Sequence, residues 1–82
     1  MYYVYILKSE KNSTVYTGST KDLRARLILH NSGKVVSTKR YMPWRLIYYE
    51  AYIDEQLAHT REHRLKYNGN AMRELKRRNN LL

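Results

Sequence analysis

Two side chains with catalytic potential lie where a core-facing helix normally presents apolar residues. Within the stretch YTGSTKDLRARLILHN, residues 16–31, Arg26 and His30 share one predicted helical face with Leu23 and Leu27, because residues three and four apart are neighbours on a helix. A guanidinium binds phosphate oxygens through paired donors, and an imidazole transfers protons near neutral pH. In the alternative interpretation, Arg26 extends to solvent from the edge of the stripe and His30 is a hydrogen-bonded boundary residue.

Two tyrosines are predicted to lie close to this helical face. Tyr16 and Gly18 fall on the same face of a short strand directly before the helix, and Tyr5 lies on the preceding strand, since side chains alternate along a strand. A glycine in a strand lets another group approach the backbone closely. We therefore expect two phenols, one guanidinium and one imidazole to converge where the strand meets the helix.

The elements that hold these side chains follow from residue alternation and from capping signals. Ser19 and Asp22 resemble a capping box, which predicts a helix start at Ser19. Asp54 is a suitable N-cap for a later helix, and the NGN segment at residues 68–70 should end that helix. The predicted strands cover residues 2–8, 14–19 and 44–53, and the predicted helices cover residues 19–31, 55–67 and 71–80.

The order of these elements, β-β-α-β-α-α, predicts an α+β domain with a small antiparallel sheet. Because 82 residues are too few for two cores, residues 1–82 are expected to form a single domain. In the first strand, Val4 and Ile6 should point to one face and Tyr5 and Leu7 to the other. The third strand is predicted to be central in the sheet, since both of its faces are largely apolar or aromatic.

The order and spacing of these residues resemble the motifs of the GIY-YIG nuclease superfamily. The matching segments are YVY at residues 3–5, YTG at residues 16–18, and then Arg26 and His30. The resemblance covers residues 2 to about 66. Within the superfamily, the chain most resembles small uncharacterised stand-alone bacterial proteins that consist of little beyond this domain. It implies a three-stranded antiparallel sheet flanked by helices. Tyr3 replaces the first glycine of the motif, and valine and threonine replace its two isoleucines.

The resemblance also implies an activity: metal-dependent endonucleolytic hydrolysis of phosphodiester bonds in DNA, with branched or damaged DNA in repair or recombination as expected substrates. The metal-binding glutamate of the family matches Glu62, which would hold Mg²⁺ or Mn²⁺ together with water and phosphate. Arg26 would neutralise transition-state charge, and His30 would assist proton transfer or contact a phosphate. Tyr5 and Tyr16 both remain candidates for the base, provided that a nearby cation lowers a phenol pKa from about 10.

A second metal site has to be weighed against this one. The segment HTREH, residues 59–63, matches the H-x-x-E-H pattern of inverted zinc proteases, with His59 and His63 on one helical face. The buried face of the same helix is predicted to consist of Leu57, Ala58 and Leu65. Both histidines then lie on the solvated side, which disfavours a zinc protease.

The charge of the chain predicts its partner. Sixteen Lys and Arg against seven Asp and Glu give a net charge of +9, which is typical of proteins that bind nucleic acid. The candidate contacts with the DNA backbone are Lys21, Lys34, Lys39 and Arg40, with simple solvation as the alternative for the loop residues. A chain without cysteine or an apolar span of membrane length is expected to be a cytoplasmic monomer that does not bind membranes.

Three functions remain open from the residues themselves. The first is the endonuclease, with a partner protein that supplies specificity as an open question. The second is a non-catalytic nucleic-acid-binding module with the same fold. The third is a protein-interaction domain whose basic surface is incidental. The endonuclease is favoured by a set of residues suited to catalysis, which nucleic-acid binding alone would not need. The set consists of Tyr5, Tyr16, Arg26, His30 and Glu62.

Overall fold

The computed structural model describes residues 1–81 and has a three-stranded antiparallel sheet with helices packed on both faces. The strands are β1 (Tyr2–Ser9), β2 (Val15–Thr20) and β3 (Trp44–Tyr52), and the helices are α1 (Leu23–Asn31), α2 (Glu55–Tyr67) and α3 (Gly69–Arg78). A turn of 3-10 helix, Lys39–Tyr41, precedes β3. The predicted α+β class and the element order β-β-α-β-α-α are confirmed. Within residues 1–81, no helix has the length and apolar character that a bilayer crossing requires.

The order of strands in the sheet is β2-β1-β3, so the central strand is β1. The prediction that the third strand is central was therefore wrong. The four residues from Val4 to Leu7 are each at most 1% exposed, because β1 pairs with a strand on both sides and is covered on both faces. In β3 the aromatic side chains lie at a sheet edge, and Tyr49 remains 54% exposed.

The start of α1 differs from the predicted capping box. Ser19 belongs to β2, and the N-cap is Asp22, whose carboxylate accepts a hydrogen bond from the backbone N–H of Ala25 at 3.0 Å. The carboxylate of Asp22 can cap the helix alone, so the hydroxyl of Ser19 is available for another partner. At the other end of the helix, Gly33 adopts a φ of 78°, a conformation that glycine tolerates and that ends helices.

The two faces of β1 have different surroundings. The aliphatic face, defined by Val4 and Ile6, packs against α2 and α3 through the buried side chains of Ala58, Leu65 and Leu75. The tyrosine face, defined by Tyr5 and Leu7, packs against Trp44 and against α1 through Leu23 and Leu27. The predicted alternation of β1 is confirmed, and it assigns α1 to one face of the sheet and the two later helices to the other.

Helix α2 begins after the predicted cap, with the carboxylate of Asp54 accepting the N–H of Gln56 at 2.7 Å. Ala58 and Leu65 are buried, but Leu57 is 54% exposed, so its assignment to the buried face was wrong. Residues 58 and 65 are seven apart and lie on one stripe, whereas Leu57 is turned away from Ala58 by about 100°. The prediction that His59 and His63 are solvated is confirmed.

Candidate active site

Helix α1 brings His30 fully into the interior of the tyrosine face, where the side chain is 0% exposed. The hydroxyl of Tyr5 lies 2.8 Å from Nε2 of His30, and Nδ1 lies 2.7 Å from Oγ1 of Thr38. We assign the hydroxyl hydrogen of Thr38 to the carbonyl of Val35, 3.4 Å away, so that Oγ1 accepts from Nδ1. Nε2 is then the unprotonated nitrogen, and it accepts the hydrogen bond from Tyr5.

Burial determines the charge state of this pair. It lowers the pKa of His30, and the positive charge of Arg26 lowers it further, so the imidazole is neutral at neutral pH. Burial also raises the pKa of Tyr5 to about 12, although Arg26 acts in the opposite direction. The expected lowering of a phenol pKa by a nearby cation is therefore wrong for Tyr5, because desolvation outweighs the cation.

Gly18 makes room for the Tyr5 hydroxyl. The two residues are opposite each other in the β1–β2 ladder. A Cβ atom at position 18 would lie 2.5 Å from Oη and 2.7 Å from Cζ of Tyr5, which is too close for either atom to stay in place. A residue with a side chain at this position would therefore push the phenol away from His30.

Tyr16 lies beside the Tyr5–His30 pair and is only partly buried. Its ring centroid is 5.0 Å from that of His30, in an edge-to-face arrangement, and 6.3 Å from that of Tyr5. The ammonium of Lys66, on α2, lies 5.6 Å from the Tyr16 ring centroid. Tyr16 is thus the phenol that both solvent and a neighbouring cation can reach.

Arg26 carries a buried donor that the protein leaves unused. Its Nε has no hydrogen-bond partner among residues 1–81, and a buried donor without an acceptor is costly. The neighbouring phenol of Tyr5 raises the pKa of Arg26, with a further contribution from Tyr16, so the guanidinium stays charged. A free donor on a permanent cation is the arrangement that an anionic ligand such as a phosphate would satisfy.

Glu62 reaches this region from the other side of the sheet. Its helix packs on the aliphatic face, and its carboxylate lies at the β2 edge, accepting a hydrogen bond from Ser19 Oγ at 2.6 Å and pairing with Lys66 Nζ at 2.8 Å. Burial would raise the pKa of Glu62, but Lys66 and Ser19 outweigh burial and lower it. The charge of Glu62 also contributes to the raised pKa of Tyr5, so its field extends to the tyrosine face.

A second carboxylate holds α2 in position. Glu50 on β3 accepts two hydrogen bonds from Arg61, at 2.9 and 3.0 Å, and one from each hydroxyl of Tyr48 and Tyr52, at 2.6 Å. Burial opposes ionisation of Glu50, but Arg61 and the two phenols outweigh it and lower its pKa. Because Arg61 directly precedes Glu62, this clamp fixes the helix turn that presents the candidate metal ligand.

The structure groups four of the predicted site residues closely. Tyr5, Tyr16, Arg26 and His30 meet on the tyrosine face, and Glu62 joins them at the β2 edge through Lys66. The predicted DNA-contacting residues Lys21, Lys34, Lys39 and Arg40 are exposed outside this group.

Sequence reasoning missed two residues of this region. Thr38 fixes the tautomer of His30, and Lys66 pairs with Glu62. The spacing of Glu62 and Lys66, four residues apart on a helix, was a usable signal for the ion pair. The contact between Thr38 and His30 had no such signal.

The arrangement can be compared with known proteins. The model of the GIY-YIG catalytic domain matches residues 1–79. The chain belongs to the GIY-YIG catalytic domain family. In this GIY-YIG domain the two motif segments lie on the neighbouring strands β1 and β2, which brings Tyr5 and Tyr16 together. The inferred resemblance to this nuclease family and the fold that it implied are both confirmed.

Similar chains occur in bacteria. UPF0213 proteins from two strains of Staphylococcus epidermidis are 42% identical over 66 residues, which is 79% of this chain and 79% of theirs. A UPF0213 protein of Streptococcus pyogenes serotype M5 is 41% identical over 61 residues, which is 73% of this chain and 65% of that protein. No solved structure is a significant match to the chain.

Proposed function

We propose that this GIY-YIG domain is a metal-dependent endonuclease that hydrolyses phosphodiester bonds in DNA. The observation that carries the proposal is the unpartnered, buried Nε of Arg26, placed beside the two phenols of the motif strands and the neutral His30 of α1. Tight binding of a polyanion needs surface charge alone, whereas hydrolysis needs donors held in place before the substrate arrives. The net charge of +9 supports nucleic acid as the substrate class.

Arg26 is assigned to the phosphate. Its guanidinium would donate to the non-bridging oxygens and would stabilise the extra negative charge that develops on them during attack by water. The phenols beside it keep the cation in place before the substrate binds.

Tyr16 is assigned to proton transfer from the attacking water. Its ring is partly exposed, whereas Tyr5 is 1% exposed, is protonated, and donates its hydrogen to His30. Tyr5 and His30 therefore act as positioning residues: they hold the wall against which Tyr16 and Arg26 pack. The imidazole has both nitrogens engaged inside the protein, so His30 does not contact phosphate directly.

Glu62 is assigned to the divalent cation, Mg²⁺ or Mn²⁺. Residues 1–81 contain no group of three or more His, Cys, Asp or Glu side chains arranged around a common metal position. A single ionised carboxylate nevertheless fits Mg²⁺, which keeps several water ligands and takes others from substrate phosphate. The lowered pKa of Glu62 keeps its carboxylate ionised, which is the form that binds a divalent cation. Bound there, the metal would supply Lewis-acid stabilisation of phosphate oxygens.

The alternative function is a non-catalytic nucleic-acid-binding module with the same fold. The observation that favours it is that both oxygens of Glu62 are already engaged, by Ser19 and by Lys66. A metal would have to displace the ammonium of Lys66 before binding. The exposed cations Lys21, Lys34, Lys39 and Arg40 would serve either function by contacting the DNA backbone.

The remaining expectations are also part of the proposal. The protein would act as a cytoplasmic monomer, and branched or damaged DNA, as in repair or recombination, is included among the substrates to be tested. A partner protein that supplies specificity is also proposed. Specific cleavage of DNA by the purified protein alone would show that no such partner is needed.

The decisive experiment compares Arg26→Ala with Arg45→Ala, which removes the same charge from an exposed position on β3. Cleavage of plasmid, single-stranded and branched DNA is measured with Mg²⁺ or Mn²⁺, and with a chelator as the blank. Arg26→Ala should lower the cleavage rate about a hundredfold to a thousandfold, whereas Arg45→Ala should cleave at nearly the wild-type rate. Metal-independent cleavage, or equal rates for the two variants, would contradict the proposal, and DNA binding without any cleavage would favour the binding module.

A further inference from the structure

An open groove on the tyrosine face lies next to the candidate active site but is not used by it. Its volume is about 750 Å³, which is within the range of small-ligand pockets, roughly 300–1,000 Å³. The aromatic and aliphatic side chains that line it are Tyr3, Leu23, Leu27, Leu46 and Tyr49. A groove of this lining suits a flat, largely apolar group.

The groove adjoins the residues assigned to the phosphate. Tyr49 is opposite Tyr5 in the β1–β3 ladder, and opposed residues of adjacent strands have side chains about 5 Å apart. On α1, Leu23 and Leu27 lie on the helical face next to Arg26, which is turned from Leu23 by about 60°. A nucleotide whose phosphate is bound by Arg26 would therefore have the groove within reach of its own base or that of its neighbour.

Two aromatic rings form one end of the groove. The rings of Tyr3 and Tyr49 meet edge to face with centroids 6.0 Å apart, and Tyr49 is 54% exposed. An exposed aromatic ring offers a flat surface on which a base can stack. Tyr3 stands where the family motif has a glycine, so this part of the groove is built by a departure of this chain from the motif.

The rim of the groove is charged. Arg24 lies there and is exposed, and so is Lys21, whose ammonium is also 5.9 Å from the ring centroid of Tyr2 on the aliphatic side. The carboxylate of Asp22 on the same rim is occupied by its capping hydrogen bond to the N–H of Ala25. Apolar walls bordered by basic residues are complementary to a chain that carries flat bases on an anionic backbone. This complementarity favours a nucleic-acid strand over an apolar peptide as the occupant.

We propose that the groove binds one unpaired nucleobase of single-stranded DNA, next to the phosphate held by Arg26. The inference rests on the proposed function for the position of that phosphate. A base can enter the groove only after it leaves the base stack of a duplex, which costs energy in intact double-stranded DNA and little in a single strand. The substrate class that follows is single-stranded DNA or a locally unpaired segment of branched DNA.

The test measures binding without cleavage. Affinity for a short thymidine strand, and for the same strand with every base removed, is measured by fluorescence anisotropy in the presence of a chelator. Tyr49→Ala removes the stacking surface, and Tyr49→Phe retains the ring. Tyr67→Ala removes a tyrosine on α2 that is more exposed than Tyr49, at 75%. Circular dichroism checks that each variant is folded.

The expected affinities form a thermodynamic cycle that compares proteins with and without the Tyr49 ring on strands with and without bases. Removal of the bases should weaken binding by wild type, Tyr49→Phe and Tyr67→Ala about tenfold, whereas Tyr49→Ala should bind both strands with the same, weaker affinity. Equal affinity of wild type and Tyr49→Ala for the thymidine strand would overturn the inference. Equal sensitivity of both proteins to removal of the bases would also overturn it. Neither result would affect the metal-dependent cleavage that tests the proposed function.

Discussion

The two faces of the central strand perform different tasks with neighbouring residues. On the aliphatic face, Val4 and Ile6 form a buried apolar cluster with Ala58, Leu65 and Leu75 of α2 and α3. On the tyrosine face, the side chain of Tyr5 is equally buried but is hydrogen-bonded to His30, which is in turn bonded to Thr38. The same degree of burial therefore accompanies packing in an apolar cluster for Val4 and Ile6 and an ordered chain of hydrogen bonds for Tyr5.

The difference teaches where the stability of so small a domain comes from. A chain of this size buries a limited fraction of its surface, so the aliphatic face must supply much of the hydrophobic contribution. The tyrosine face has to satisfy every buried polar atom or leave it for a ligand. Among residues 1–81, the buried side-chain atom left without a partner is Nε of Arg26, on the face that we assign to DNA.

The largest expected effect comes from emptying the aliphatic face. Ile6→Ala should lower the free energy of unfolding by about 2–5 kcal/mol, because it leaves a cavity under two helices. Ile53→Ala removes the same atoms from a side chain that is 84% exposed and should change the free energy of unfolding little. Urea denaturation of the two variants measures both values, and similar destabilisation by both would show that the aliphatic face is not the main source of stability.

The tyrosine face should make stability depend on pH. Because the pKa of His30 is lowered on folding, the unfolded chain binds the proton more readily. Stability should therefore fall as the pH decreases below the unfolded value of about 6.5, by at most about 1.4 kcal/mol per pH unit for one proton. His30→Gln should flatten this slope, and His63→Gln, at an exposed position, should leave it unchanged. An unaltered slope in His30→Gln would contradict the buried neutral imidazole.

A smaller effect is expected at the β2 edge, where the two faces meet. Lys66→Met removes the cation that occupies Glu62, so Mn²⁺ should bind about twofold to fivefold more tightly, as expected for a partly exposed ion pair. Paramagnetic broadening of amide signals around Glu62 measures the affinity in the absence of DNA. Lys11→Met removes an equal charge from the exposed turn between β1 and β2 and is the control. Equal affinities of the two variants would argue against a metal at Glu62.

Local patterns predicted the parts of this fold that depend on local physics. The alternation of β1 follows from strand geometry alone, and Asp54 caps α2 because its carboxylate reaches an N–H two residues later. The order of strands depends on hydrogen bonding between distant segments, so the aromatic composition of β3 did not show that it is an edge strand. The prediction of Ser19 as a helix cap failed because the hydrogen-bond partner of Ser19 is Glu62, which is 43 residues away in the sequence.

The candidate site was predictable to the same extent. The alternation of side chains along the strands, the spacing of side chains along α1 and a glycine in the neighbouring strand were enough to predict that four side chains converge. These are Tyr5, Tyr16, Arg26 and His30. The remaining contacts depend on how whole helices and strands pack against each other. They are the approach of Glu62 around the β2 edge, its ion pair with Lys66, and the hydrogen bond between His30 and Thr38. Those contacts required the structure.

The most direct test of the central claim compares two tyrosines on opposite faces of the sheet. Tyr16→Phe removes one hydroxyl from the tyrosine face, and Tyr2→Phe removes one from a residue that packs on the aliphatic side. The metal-dependent cleavage rate of each variant is measured at saturating protein. Tyr16→Phe should cleave at least about a hundredfold more slowly than wild type, since proton transfer by a positioned side chain typically contributes that much, and Tyr2→Phe should cleave at the wild-type rate. Wild-type cleavage by Tyr16→Phe would contradict the assignment of the active site to the tyrosine face.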